Sequence, residues 1–268
     1  MKTEFNLEKF KANSLKNEIV VFDFDGTLIQ GDCSDEMLLA LMDHGHLTSE
    51  ILKSNSLMPE NSDLNPFEYY QWLLGCHKDE DYVEGHVWML KALGVLRLED
   101  VLIASKRAFV GEKRTIHFHP KVLAILENCL LQEAECYILS ASPEIIIKYL
   151  VQHFLNPDLK KRNIPEFPLE RVKGIEFEKL CDFEIRENRI HWESYYDQIL
   201  GERVLYPAPS GKGKAMFINQ YCKQKPLFSF SDSTTDFPLL DASENGVIVL
   251  QNGDKSWDSI ENDFYVVT

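Results

Sequence analysis

Short apolar runs alternate along this chain with stretches whose apolar residues recur every three or four positions. The first run, Ile19-Val20-Val21-Phe22, leads directly into Asp23-Phe24-Asp25-Gly26-Thr27-Leu28 and reads as a buried strand that delivers acid groups at its end. Residues 33 to about 112 have a different rhythm. Glu36 to Met42, Pro66 to Leu74 and Gly85 to Leu98 carry apolar residues at helical spacing, and Asn55 to Asn65, which contains Pro59, reads as a loop between helices. His119-Pro120 then opens a helix through Val122, Leu123, Ile125 and Leu126. Cys136 to Leu139 follows as a strand ending in Ser140-Ala141-Ser142-Pro143, and Glu144 to Phe154 supplies the next helix.

Residues 171 to 192 alternate, and Phe183-Glu184-Ile185 with Arg189-Ile190-His191 around Arg186-Glu187-Asn188 predicts a hairpin. Gly211-Lys212-Gly213-Lys214 precedes a helix bearing Met216, Phe217, Ile218 and Tyr221. Leu227 to Phe230 is a further strand, Phe237 to Leu240 a helix, and Val247 to Leu250 and Phe264 to Val267 complete the strands. Strands alternating with helices predict an α/β fold: a doubly wound, Rossmann-like, mostly parallel sheet with helices on both faces. The helical stretch after the first strand is expected as a separate inserted unit, which gives a core of residues 1–32 and 113–268 and a helical insert of residues 33–112.

Composition narrows the function. A net charge of −15 argues against nucleic acid or an anionic membrane as partner, since both draw on clustered Lys and Arg. The first eighteen residues are polar with four Lys and do not resemble a secretory signal, and no run approaches the length of a membrane span. The six cysteines form no CxxC pair, so free thiols and a cytoplasmic location are expected.

Three expected strand ends carry candidate chemistry: Asp23, Asp25 and Thr27; Ser140; and Asp232 with Asp236. Lys214 opens the helix between the last two. Asp23 and Asp25 share one face of an extended segment, and two close carboxylates in an apolar setting need a cation or a proton between them. A hard divalent ion suits them. An EF-hand is excluded, because Leu28 stands where its loop needs Gly and Ser34 where it needs Glu. A P-loop is excluded because no Gly precedes Gly211 by five residues and Gly213 follows Lys212. Taken singly, Ser140 reads better as a helix cap, Asp232 and Asp236 read as a cap and a first-turn acid favouring a helix start, and Lys212 competes with Lys214. Phe217, Ile218 and Tyr221 fix the helix face in favour of Lys214.

Taken in order, these motifs resemble the haloacid dehalogenase superfamily. Asp23-Phe24-Asp25-Gly26-Thr27 is similar to its first motif, Ser140 to the second, Lys214 to the third and Asp232-Ser233-Thr234-Thr235-Asp236 to the fourth. Leu139 to Pro143, Asp232 to Leu240 and the position of the insert resemble the phosphoserine-phosphatase-like branch, although Ser231 stands where that branch usually has Gly. The resemblance implies a phosphatase acting on a small phosphorylated metabolite with Mg²⁺ held by Asp23, Asp232 and the main-chain carbonyl of Asp25. It implies Asp23 as nucleophile, Asp25 as acid and base, Thr27, Ser140, Ala141 and Lys214 around the phosphoryl oxygens, and Asp236 behind Lys214.

Phosphoserine phosphatases place a Glu nine residues after the nucleophile to meet the substrate amine, and an Arg in the cap for the carboxylate. Here the first position is Asp32, and no Arg occurs before Arg97. Without that guanidinium, phosphoserine is disfavoured. Asp32 with the aromatic residues Phe67, Tyr69, Tyr70, Trp72, Tyr82 and Trp88 of the insert suits a phosphorylated amine or amino alcohol instead. A catalytically idle member that binds a phosphorylated ligand or a protein, and a phosphotransferase with an acceptor other than water, are the alternatives.

Overall fold

A computed structural model describes residues 3–12, 14–76, 83–110, 116–176, 183–199, 209–250, 257 and 264–268. Seven parallel strands form one sheet: β1 (Thr3–Glu4), β2 (Ile19–Phe22), β5 (Glu135–Pro143), β6 (Val172–Ile175), β7 (Phe228–Ser231), β8 (Asn245–Val249) and β9 (Tyr265–Val267), in the order β1-β9-β8-β7-β2-β5-β6. A further pair, β3 (Ile29–Gln30) and β4 (His117–Phe118), is antiparallel.

The first apolar run lies between β5 and β7, which explains its composition. Every residue of β2 is buried: Val20 and Phe22 join the large core on one face, and Ile19 and Val21 join a smaller one with Leu139, Ile218 and Leu239 on the other. Alternation therefore exists, but both faces are covered, so the sequence shows no polar partner face. The Phe22 ring stacks on that of Phe230 at 4.9 Å and 7°, tying β2 to β7.

Register brings the chemistry to one edge. Phe22 lies opposite Ile138 on β5 and Phe230 on β7, so Asp23, Ser140 and Asp232 all emerge within two residues of the same level at the carboxyl ends of neighbouring strands. In a doubly wound sheet this is where ligands bind.

Between β3 and β4 the described residues form five helices, α2 (Cys33–Asp43), α3 (Ser49–Ser54), α4 (Pro66–Cys76), α5 (Val83–Gly94) and α6 (Leu98–Val110), as the helical spacing predicts. The β3–β4 pair at the base of the insert went unpredicted because it is only two residues long. Asp32 caps α2, its Oδ1 accepting from the N–H groups of Ser34 at 2.8 Å and Asp35 at 2.9 Å. Met37, Leu41, Tyr70, Trp88 and Met89 of the insert belong to the same apolar cluster as the sheet.

Two expectations are corrected. The helix after Pro143 does not end at Phe154: α8 (Glu144–Leu150) passes through a wider, π-type turn at Val151–Leu155 into α9 (Asn156–Lys161). The hairpin expected over residues 171–192 keeps its turn at Arg186-Glu187-Asn188 but, among the described residues, not its strands, and residues 177–182 of it lie outside them. Val172–Ile175 is the sheet edge paired with β5, and the Arg186–Arg189 turn closes on a single bridge through left-handed Glu187 and Asn188. Side chains hold that turn instead of a ladder. Asn188 bonds the main chain of Phe167 and Leu169, and Gln152 bonds both the N–H and the carbonyl of Ile190.

Candidate active site

Asp23 ends β2, and its main-chain N–H still bonds the carbonyl of Phe230 at 2.9 Å. Its Oδ1 accepts from the N–H of Phe24 at 2.8 Å and from Nζ of Lys214 at 2.7 Å. Burial pushes the Asp23 carboxyl well above the usual carboxylate range against the pull of Lys214, and the charges of Asp236 and Asp232 add to that rise.

Past Asp23 the chain turns sharply, and Gly26 adopts φ +67°. A Cβ there would lie 2.0 Å from Oδ2 of Asp232, so only Gly permits the two motifs to pack this closely. Asp25 is held from three sides: Oδ1 accepts from the N–H of Cys33 at 2.7 Å, and Oδ2 accepts from Ser140 at 3.0 Å and Ser142 at 2.7 Å. Oγ of Ser142 is also 2.6 Å from Oγ of Ser34. Asp25 thus joins the end of β5 to the first turn of the insert.

Lys214 sits in the first turn of α10 (Lys212–Tyr221), where Gly211 turns the chain at φ +49°. It is buried, whereas Lys212 is exposed. Its Nζ also donates to Oδ2 of Asp236 at 2.5 Å. Burial pulls its pKa down, but Asp23 and Asp236 outweigh that effect and raise it, so the ammonium persists. Ser231, which stands where Gly is usual in the resembling branch, donates its hydroxyl to Oδ2 of Asp236 at 2.7 Å and lies 3.4 Å from Oδ2 of Asp23.

Asp23, Asp25, Ser140, Ser142, Lys214 and Asp236 line a cleft of about 450 Å³ that also receives Asp32, Asp35, Tyr70, Gln71 and His86 from the insert side. Asp23, Asp25, Asp32, Asp35, Asp232 and Asp236 face it, and among the described lining residues Lys214 is the only lysine or arginine. Burial, with Asp25 and Asp35 nearby, pushes Asp32 well above its ordinary range, and burial with the charges of Asp25 and Glu36 raises Asp35 to about 6. Burial lowers His86 to about 4, leaving a neutral ring 3.4 Å from the Tyr70 hydroxyl.

Among the predicted site residues, Asp23, Asp25, Asp32, Ser140, Ala141, Lys214, Asp232 and Asp236 line this cleft. Thr27, expected at the phosphoryl oxygens, does not. It is fully buried, its hydroxyl donates to Oδ1 of Asp232 at 3.1 Å, and it accepts from the Asp232 N–H at 3.0 Å. Of the aromatic set expected around a substrate amine, Tyr70 alone is among the described lining residues. Trp72 is 52% exposed on the outside of α4, Trp88 packs in the core, and Tyr82 lies outside the described residues. Asp35, Ser142 and His86 were missed. Only the Ser-Ala-Ser-Pro run offered a signal, since it holds a second hydroxyl at the same strand end.

Among the described residues, no group of three or more His, Cys, Asp or Glu side chains is arranged to hold a metal ion. The donor set expected here has only two such side chains, Asp23 and Asp232, because Asp25 contributes its main-chain carbonyl while its carboxylate is held by three donors. Burial pushes the Asp23 carboxyl well above the usual carboxylate range and raises Asp232 to about 6. Carboxylate oxygens from a buried Asp23 and a half-buried Asp232 at the same end of the sheet fit a hard divalent ion.

A parallel sheet with an acid-lined crevice at the carboxyl ends of its strands and a helical insert after the first central strand defines a doubly wound α/β protein with its site between sheet and insert. Residues 20–161 match the family model for haloacid dehalogenase-like hydrolases, and the chain belongs to that family. Solved structures share the fold at low identity. A conserved protein of unknown function from Anaerococcus prevotii is 16% identical, with 96% of this chain and 89% of that one covered and a TM-score of 0.64. For a HAD family hydrolase from Salmonella enterica serovar Typhi the values are 14%, 94%, 68% and 0.55. For a phosphoserine phosphohydrolase-like protein from Francisella tularensis they are 14%, 94%, 94% and 0.51. No curated protein matches the chain.

Proposed function

We propose that this hydrolase is a Mg²⁺-dependent phosphatase that cleaves a small phosphomonoester through an aspartyl phosphate on Asp23. The observation that carries the reading is the buried Lys214 ammonium bridging Asp23 and Asp236, beside Asp25 tied to Ser140. Lys214 and Phe24 orient the Asp23 carboxylate. It attacks phosphorus, and the bond to the leaving oxygen breaks as the new one forms. Asp25 gives its proton to the departing oxygen and then takes one from the water that hydrolyses the acyl phosphate. Ser140, the amide of Ala141 and Lys214 take the phosphoryl oxygens, where transition-state charge spreads. Asp23, Asp232 and the main-chain carbonyl of Asp25 would hold Mg²⁺, which would supply the positive charge that lets a carboxylate approach a phosphate dianion.

The rest of the substrate meets Asp32, Asp35 and Tyr70, which favour a cationic group and supply no positive charge to pair with a carboxylate. A phosphorylated amine or amino alcohol fits this wall. A panel of phosphate esters tests it: kcat/KM is highest for phosphorylated amines, and turnover of sugar phosphates or nucleotides alone removes the assignment.

A further inference from the structure

Trp257 lies between β8 and β9, in a stretch to which the sequence pattern gives no role. Its side chain is 1% exposed and belongs to a small apolar cluster with Leu240, Ile248, Phe264 and Val266, standing edge-on to the Phe264 ring at 6.3 Å and 89°. Filling that cluster requires only an apolar ring. The indole N–H, however, leaves it and donates to the main-chain carbonyl of Asp232 at 2.7 Å. A buried donor aimed at one carbonyl fixes the direction of the backbone there.

Asp232 is held equally firmly on its other side. Its N–H donates to the Thr27 hydroxyl at 3.0 Å, the same hydroxyl donates to Oδ1 at 3.1 Å, and Gly26 packs beneath the carboxylate. Two distant parts of the chain, Gly26-Thr27 and Trp257, therefore meet at one residue and fix its N–H, side chain and carbonyl. We propose that Trp257 is a positioning residue for the cation site: it anchors the backbone where β7 turns into Ser233, and so sets the direction in which Asp232 presents its carboxylate. This rests on the reading that Asp232 ligates Mg²⁺.

The test is the Mg²⁺ affinity of the full chain, read from the rise of its melting temperature with Mg²⁺ concentration, for wild type and Trp257→Phe. Phe keeps a ring in the cluster and removes the donor. The variant binds Mg²⁺ about ten- to a hundredfold more weakly, the range for loss of a group that orients a metal ligand, while kcat at saturating Mg²⁺ returns towards the wild-type value. A merely structural role would lower the melting temperature of the metal-free variant and leave the affinity unchanged, and that result overturns the proposal. A second measurement needs no variant. The chain has four tryptophans, and in a ¹H–¹⁵N spectrum of the wild type one of the four indole N–H signals moves on addition of Mg²⁺. Four stationary signals in a protein that Mg²⁺ activates overturn the positioning role alone. A wild type that neither binds nor responds to Mg²⁺ overturns the cation site and the positioning role together.

Discussion

Nζ of Lys214 lies 2.7 Å from Oδ1 of Asp23, although 191 positions separate the two residues in sequence. Both are buried, and Asp236 completes a triad in which one ammonium serves two carboxylates. Removing one partner of such a group leaves charge without compensation. Lys214→Met is expected to destabilise the protein by about 3–5 kcal/mol and to reduce kcat/KM by at least about a hundredfold. Lys212→Met, on the exposed side of the same helix start, stays within about 0.5 kcal/mol of wild type. Urea unfolding and turnover of an aryl phosphate distinguish the two.

Ser231 sits beneath this triad, and its hydroxyl bonds Asp236 at 2.7 Å. Ser231→Ala leaves one oxygen of Asp236 to Lys214 alone. A loss of about 1–3 kcal/mol in stability follows from deleting a buried donor to a charged group. If Asp236 orients Lys214, kcat falls more than KM changes. Wild-type kcat in this variant would show that Lys214 holds its place without that support.

Gly26 combines φ +67° with the close approach of Asp232. Gly26→Ala has to relieve a contact of 2.0 Å as well as a left-handed backbone, so destabilisation of more than about 2 kcal/mol and loss of activity are expected. Gly31, at φ +97° with open space around its missing Cβ, has the backbone demand alone. Gly31→Ala is therefore the milder variant in thermal unfolding.

Asp35 gives a pH dependence with a definite sign. Burial, then the charges of Asp25 and Glu36, raise it from 3.8 to about 6, so between these values the folded protein binds more protons than the unfolded chain. Its contribution to stability is complete below about pH 4 and is lost as the pH rises through about 6. Asp35→Asn removes the burden of an ionised carboxylate. The variant should match wild type near pH 4 and exceed it by about 1–2 kcal/mol above pH 7, once solvent screening of a partly exposed group is allowed for. Urea unfolding across pH 4–8 in the absence of added metal measures the difference, and equal stability at both ends contradicts the assignment.

Much of this site was legible because apolar runs that end in Asp or Ser mark strand ends, and a parallel sheet aligns those ends. Asp23, Ser140 and Asp232 were placed at strand ends by that logic, and the order of the motifs, not any one of them, pointed to their roles. The contact of Thr27 was not legible, because a sequence does not say which neighbour a hydroxyl faces, and in the structure it faces Asp232. The insert was legible as helices but not as a lining. Pro66 to Cys76 contains two tyrosines and a tryptophan, yet helix rotation turns Tyr70 inward and Trp72 outward. Trp257 was beyond reach, since its link to Asp232 runs through a main-chain carbonyl that leaves no trace in residue type.

The role of Asp23 as the attacking group is the central claim, and it is tested most directly by Mg²⁺-dependent turnover of an aryl phosphate by wild type and Asp23→Asn. The amide can still accept hydrogen bonds from Lys214 and Phe24 but cannot form an acyl phosphate, so the predicted result is a folded protein slowed by at least about a thousandfold. Turnover by Asp23→Asn at the wild-type rate would contradict the account.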